Sequence, residues 1–385
     1  MIITDQGELT KLCEKLSAFP YITIDTEFLR EKTYYPKLCL VQVSDPDGNA
    51  AAIDPIDGTL DLAPLFDLFM NPNVLKVIHS GRQDLEIFYN LTGKVVTPFF
   101  DTQIAAMVCG YGDSIGYESL VRGLTGHSLD KSVQFTDWSK RPLSKRQIDY
   151  ALGDVIYLAE IYKKLERELE KHGRTEWVFE EEEILANPET YQNSPERAWE
   201  RIKLRSPKPK MLAILKELAA WREKRAQDKN LPRSWIMKDE TLADMAAQMP
   251  ETVEQLKKIR GVTPDMAGGH IGKTLLEIIA AAASSDKNAW PKPAERKMIS
   301  PQATATIDIL KMLLKIQASE HGVAAKLVAD QDDIERIATE DNPDIAALKG
   351  WRFEVFGREA QALKAGEIAV GLKNSKITKY NVSDL

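Results

Sequence analysis

Asp25 and Glu27, in the run YITIDTEFL, are two carboxylates one strand repeat apart. Alternation along a strand puts both on one face and gives the other to Ile24 and Thr26. Like charges so placed at the end of an apolar strand repel one another, and a bound divalent cation would supply the missing counter-charge. The plain alternative is a strand that runs into solvent with its acids hydrated. Asp84, in HSGRQDLEIF, falls early in a helical pattern, where a helix start would stabilise its charge. His79 and Arg82 beside it are candidate anion contacts or loop-packing groups. Tyr150 and Asp154, in DYALGDVIYL, are four residues apart and share a helical face. Asp154 lies between Gly153 and Val155 in an apolar stretch, an expensive place for an uncompensated charge. The Tyr150 hydroxyl is either the wet tip of a half-buried ring or a group that holds a nucleophilic water. Oxygen donors of this kind suit Mg²⁺ or Mn²⁺. The five histidines, His79, His127, His172, His270 and His321, are scattered without zinc-ligand spacing.

These side chains need elements to position them. YITIDTEFL, KLCLVQVSD and NAAAIDP read as short strands of an antiparallel meander, and VLKVIHS as a further strand. RQDLEIFYNLTG reads as a helix ending at Gly93, followed by a strand-like VVTP and a helix over DTQIAAMVCGYG. The longest helical pattern is SKRQIDYALGDVIYLAEIYKKLERELEKHG, with Ile148, Leu152, Val155, Leu158 and Leu165 on its buried stripe and Gly173 as its stop. Gly153 inside it costs about 1 kcal/mol relative to Ala, which a close approach by another backbone or a ligand would justify, while an ordinary surface glycine is equally allowed. Asp101 reads as a helix cap rather than a metal ligand. Glu180 to Glu183 read as a solvated linker run.

From about residue 210 the strand pattern gives way to short amphipathic helices. A first series runs from MLAILKELAAWREKRAQDKN to GKTLLEIIAAAAS. A second, after SSDKNAWPKPAERKMISPQ, runs from ATIDILKMLLKIQASEHGV to REAQALKAGEIAVG, and together they form a weak repeat of roughly 80–90 residues. The boundaries expected are a domain over 1–190, a linker over 191–209, helical domains over 210–290 and 302–375 with a linker over 291–301 between them, and a mobile tail over 376–385.

At 385 residues, with 43% hydrophobic and 28% charged, the chain has apolar material for several cores and is not disordered throughout. No run resembles a membrane span or a secretory signal, and Cys13, Cys39 and Cys109 make no disulfide framework, so a cytoplasmic home is expected. The net charge of -7 is unevenly spread. Residues 1–190 carry 19 basic and 31 acidic side chains, whereas residues 197–233 carry 12 basic and 4 acidic. The acidic part would repel a polyanion unless cations intervene, and the middle would attract one. Charges that merely solvate helices are the bland reading of the same counts.

The motifs IDTEF at 24–28, HSGRQDLEIF at 79–88 and YALGD at 150–154 resemble, in that order, those of the DEDDy 3′–5′ exonucleases, specifically the ribonuclease D family. LDKSVQFTDWSKRPLS at 129–144 is similar to the same family. WREKRAQDKNLPRSWIMKDETLADMA resembles the helicase-and-RNase-D C-terminal (HRDC) domain, and GVAAKLVADQDDIERIA with GWRFEVFG a divergent second copy. The fold this implies is α/β, a mixed-sheet ribonuclease H-like or DnaQ-like exonuclease domain followed by two small all-α HRDC-like domains. Asp25, Glu27, Asp84 and Asp154 match the family's metal-site acids, and Tyr150 matches the tyrosine that orients the attacking water. Two Mg²⁺ or Mn²⁺ ions are implied, with a monomeric enzyme that acts on RNA bearing a free 3′ end, in particular precursor tRNA, and releases nucleoside 5′-monophosphates. A DNA exonuclease and a non-catalytic nucleic-acid adaptor are the rival readings. Nucleic-acid contacts are expected from His79, Arg82, Gln42, Lys140 and Arg141, and from Arg222, Arg225, Lys229 and Arg233 among Trp221 and Trp235, although both tryptophans equally fit a helical core. Lys131, Lys145 and Arg146 join the expected approach channel. Gln42 is also a candidate neighbour of the metal ligands, in KTYYPKLCLVQ, whose Tyr34 and Tyr35 would frame the terminal nucleotide or simply pack.

Overall fold

The computed structural model describes residues 1–293, 299–374 and 376–384. The side chain of Lys131 and residues 294–298 of the expected second linker lie outside the described residues. The described residues fall into two compact units. One holds 1–27, 39–190 and the described residues after 298; the other holds 28–38 and 191–293.

The first unit begins with β1 (Ile2–Ile3), α1 (Gln6–Leu16), β2 (Tyr21–Leu29), β3 (Lys37–Ser44), β4 (Ala50–Ile53), α2 (Ala63–Phe69), β5 (Leu75–Ile78), α3 (Arg82–Thr92), β6 (Phe99–Asp101), α4 (Thr102–Val108) and α5 (Tyr117–Thr125). The sheet order is β1-β4-β3-β2-β5-β6. It is mixed: β3 and β4 are antiparallel with Val41 opposite Ile53, while β5 runs parallel to both β2 and β6. The last strand is Phe99–Asp101 rather than the expected VVTP, because it is Phe99, Phe100 and Asp101 that pair with Lys76, Val77 and Ile78 of β5, while Val95 and Val96 are buried without joining the ladder.

Across this sheet lies α6 (Lys145–His172), the long helix read from the periodicity, opened by a capping box of Ser144 and Gln147 and closed by Gly173 at φ 63. Its Leu158, Ile161, Tyr162 and Leu165 pack with Val77 and Phe100, and the Tyr162 ring touches those of Tyr21 and Phe100 at 4.7 and 5.0 Å. Each such side chain fully buried contributes about 1.5–3 kcal/mol. Lys76 on β5 is also buried, and its three ammonium protons are met by the carbonyls of Asn71, Val74 and Thr97.

The acid run does not form a solvated linker. It belongs to α7 (Thr175–Ala186), in which Glu182 is buried and accepts the Asp101 N–H at 2.6 Å. In the same unit, Glu180 and Glu181 pair with Arg352, and the Trp177 and Trp351 rings stack at 4.4 Å. The C-terminal helices therefore pack directly on the sheet domain's own helix.

The second unit contains α8 (Pro209–Lys229), α9 (Arg233–Ile236), α10 (Asp239–Gln248), α11 (Val253–Leu256), α12 (Pro264–Gly268) and α13 (His270–Ser284). Their core is Leu215, Leu218, Leu242, Met245, Leu256, Leu275 and Ile279, with Trp221 packed at its border. Residues 28–38 join it through Tyr34, whose hydroxyl donates to buried Glu223 and whose N–H meets Asn230 Oδ1 at 3.1 Å.

After residue 298 the first unit resumes with α14 (Pro301–His321), α15 (Ala325–Val328), α16 (Gln331–Thr339), α17 (Gly350–Arg352) and α18 (Arg358–Ala365), around Leu310, Leu313, Ile334, Trp351 and Phe356. Beyond α18 the chain forms an antiparallel hairpin, β7 (Ile368–Lys373) with β8 (Lys376–Asn381), where Ala369 faces Tyr380. The expected helix over GEIAVG and loose tail are replaced there because the β-branched residues Ile368 and Val370 on one strand and Ile377 and Thr378 on the other favour extended backbone.

Candidate active site

Three elements converge at the end of β2. The Thr23 hydroxyl donates to Val155 O at 2.8 Å, a buried tie between β2 and α6 two residues before Asp25 and one after Asp154. One oxygen from each of Asp25, Glu27 and Asp154 lies within 4.8 Å of the others, and all three side chains are half-buried. Residues 129 positions apart thus share one small space.

Asp84 arrives from another direction. The turn from β5 into α3 passes through Gly81, where a Cβ would lie 2.2 Å from Ile78 Cδ1, so only glycine fits. The Asp101 carboxylate clamps this turn by accepting from the N–H groups of Ser80 and Gly81, each at 2.9 Å, while also capping α4 through Gln103 N–H at 2.8 Å. The turn delivers Asp84, which is 8% exposed, to a short hydrogen bond from the Thr26 hydroxyl on β2. Asp84 stands outside the three-oxygen group yet within reach of its charge, since it raises the pKa of both Asp25 and Glu27.

Electrostatics marks the cluster. Burial, then Asp84, Asp154 and Glu27, push Asp25 well above the usual carboxylate range. Burial followed by Asp154 and Asp84 pushes Glu27 up to about 9. Asp84 rises to about 6, mainly through burial, against the lowering effect of the Thr26 hydrogen bond. The charges that act most strongly on Asp25 and Glu27 are other carboxylates, so the site holds protons where a cation would relieve it. A divalent metal ion fits this donor set: hard oxygens, close together and electrostatically unsatisfied.

Tyr150 lies one helical turn before Asp154. Burial, then Asp154, Glu27 and Asp25, raise its pKa, with a hydrogen bond to Asp154 adding to the effect. Its ring lies 6.1 Å from that of buried Trp138. Tyr117 is a second tyrosine here that the motifs did not single out. Its hydroxyl donates to Gly153 O at 3.1 Å, and after burial the charges of Asp154 and Asp25 raise its pKa. Gly153 is buried, with Leu129 Cδ2 only 3.3 Å from where a Cβ would sit, so a close neighbour explains it. The sequence reading assigns Thr23, Thr26 and Trp138 no part in the site, and Asp101, which it reads as a helix cap and which does cap α4, no part in holding the turn before α3. They act through contacts 12 to 132 residues away along the chain, which no local pattern reports.

The expected nucleic-acid contacts divide. Arg82, Lys140 and Lys229 are exposed, and Arg225 lies over the Trp221 ring at 5.8 Å. Trp235 is 60% exposed. Gln42 is fully buried, which withdraws it from any polyanion. Arg222 is likewise buried and bound to Asp239 and Met237 O. Arg233 pairs with Glu223, and Arg141 is spent on Asp54 and on the carbonyls of Cys39, Trp138 and Lys140. These are corrections to the surface reading: protein carboxylates and carbonyls already use the guanidinium groups. His79 is half-buried, with Nδ1 3.0 Å from Thr102 Oγ1 and its ring 5.3 Å from Tyr117, a packed position.

A family model described as 3′–5′ exonuclease matches residues 1–170, and an HRDC domain model matches residues 211–279. The ribonuclease D of Sphingobium indicum is 49% identical over 378 residues, covering 98% of this chain and 97% of that protein. That of Nitrobacter hamburgensis is 45% identical over 382 residues, covering 99% and 100%. Among solved structures, Escherichia coli RNase D, described as an exoribonuclease involved in structured RNA processing, superposes with a TM-score of 0.82 at 33% identity, covering 95% of this chain and 98% of that one.

Proposed function

The chain belongs to the ribonuclease D family, and we propose that Asp25, Glu27, Asp84, Tyr150 and Asp154 carry its metal-dependent 3′–5′ exoribonuclease reaction. The observation that carries this assignment is the meeting of Asp25, Glu27 and Asp154 oxygens within 4.8 Å, in a setting where Asp154 and Asp84 disfavour the charge of both Asp25 and Glu27. Two Mg²⁺ or Mn²⁺ ions bound there would supply positive charge to the scissile phosphate and lower the pKa of the attacking water. Asp25, Glu27 and Asp154 are the ligands, and Asp84, aimed by Thr26, completes the set. The Tyr150 hydroxyl stays protonated at neutral pH because its pKa is raised, so it orients the water by hydrogen bonding and is not the base. Water adds to phosphorus, the bond to the 3′ oxygen breaks, and a nucleoside 5′-monophosphate leaves a new 3′-OH behind.

The substrate is an unpaired 3′ extension of a structured RNA, with precursor tRNA as the favoured case. Exposed Lys229 and Arg82, with Arg225, supply phosphate contacts that position the strand without reading sequence. The domain division is 1–190 without residues 28–38, which go with the helical unit, then 210–290 and 302–375, and the protein acts as a cytoplasmic monomer, a setting that suits its three free thiols, Cys13, Cys39 and Cys109. Among the described residues no helix is long and apolar enough to cross a membrane.

Incubation of a 5′-labelled precursor tRNA with the protein and Mg²⁺ tests the reading. Stepwise shortening from the 3′ end, abolished by chelator, is expected. An uncut RNA, or faster digestion of a matched DNA, would overturn it.

A further inference from the structure

Phe135 is 95% exposed, the highest value for a large apolar side chain among the described residues. Its backbone neighbours are held inward. Gln134 O accepts from Trp138 Nε1 at 3.4 Å, and the Thr136 hydroxyl donates to Val133 O at 2.8 Å while accepting from Gln147 Nε2 at 3.1 Å. A few residues on, Arg141 ties Trp138 O to Asp54 and Cys39 O. The ring is thus held in water by a segment anchored on both sides.

The anchors are also the supports of the reaction centre. Trp138 packs against the Tyr150 ring, and Gln147 completes the capping box that starts α6 three residues before Tyr150. Exposed Ser132, Asp137 and Lys140 lie along the same segment, so a protein partner would find a lone ring without the apolar surround that a protein contact needs. A nucleobase needs only a flat face, and stacking tolerates any base.

We propose that Phe135 is a stacking platform for a nucleobase in the single-stranded 3′ end of the RNA. This rests on the reading of Tyr150 as part of the reaction centre. Phe135 holds the strand and takes no part in bond breaking.

The test uses the full chain with Phe135→Ala, Phe135→Leu and Phe135→Tyr, and an RNA with an unpaired 3′ end. Ala and Leu should raise KM, and the Kd measured in chelator, by about tenfold, the value of one moderate stacking contact. Single-turnover rates at saturation should stay within about twofold of the parent protein, by the same division between binding and chemistry, and Tyr should restore binding. One abasic nucleotide should weaken the parent equally and leave the Ala variant unaffected. Parental KM and Kd in Phe135→Ala, equal performance of Leu and Tyr, or a loss confined to the saturating rate would each overturn the proposal. Phe135-dependent binding by a parent protein that never shortens RNA would keep the platform and remove the exonuclease reading instead.

Discussion

The two units treat buried acids in opposite ways. In the helical unit, Glu223 is 1% exposed, and burial alone would raise its pKa, yet hydrogen bonds from Arg233 and Tyr34 outweigh burial and hold it below the usual range. At the end of β2, Asp25 and Glu27 are raised by burial and then raised further by Asp84 and Asp154, and Asp25 by Glu27 as well. Glu223, which the helical unit's packing needs, comes with its own cation. A group of carboxylates left to repel one another spends stability on a ligand that arrives later, as strongly perturbed groups at functional sites commonly do.

The largest effect expected is from Asp25→Asn. It should lower turnover by about 10³-fold, in line with loss of a group that stabilises transition-state charge. In the absence of metal the same change should raise stability by about 1 kcal/mol, since it removes one source of repulsion. Rapid-quench assays and chelator-treated thermal melts read the two halves. A metal-free variant less stable than the parent would break the comparison. Glu223→Gln should do the reverse, costing about 3 kcal/mol of stability by leaving Arg233 without its charge partner. The folded fraction should keep the parental rate, as denaturant melts alongside initial rates would show.

Tyr150→Phe comes next, with a fall of about 10- to 100-fold in single-turnover rate and little change in RNA affinity, the signature of a lost positioning group. Equal rates for variant and parent would remove the hydroxyl from the mechanism.

The smallest effect is a pH dependence. Glu27, near 9 in the folded chain, and Asp84, near 6, bind protons there that the unfolded chain has released. Their folded pKa values are raised, so the cluster's contribution to metal-free stability should fall as pH rises from about 4 to 9. Mg²⁺ should reduce that slope by replacing the protons. Melting temperatures that rise with pH in chelator across this window would contradict the picture of the cluster.

Much of the site was legible because its parts are local. The alternation of IDTEF places Asp25 and Glu27 together, the i,i+4 step joins Tyr150 to Asp154, and the long helix with its Gly173 stop follows from periodicity. The acids around Glu182 show where such reading ends. Four glutamates in a row look hydrated, but α7 turns one of them against Asp101 and two against Arg352. The arginines show it again: Arg222 and Arg233 sit in a basic stretch that reads as an RNA surface, and both are used inside the helical unit.

The sequence by itself determined which residues can ligate, which helix and strand carry them, and the order of the domains, because those properties depend on neighbours a few positions away. Tertiary structure alone decided that Thr26 would aim Asp84, that Asp101 would clamp the turn before α3, that Gln42 would be buried, and that residues 28–38 would join the helical unit. Each of these is a choice among partners tens to hundreds of residues distant. Burial sets the strength of such contacts, and burial exists only once the chain has closed on itself.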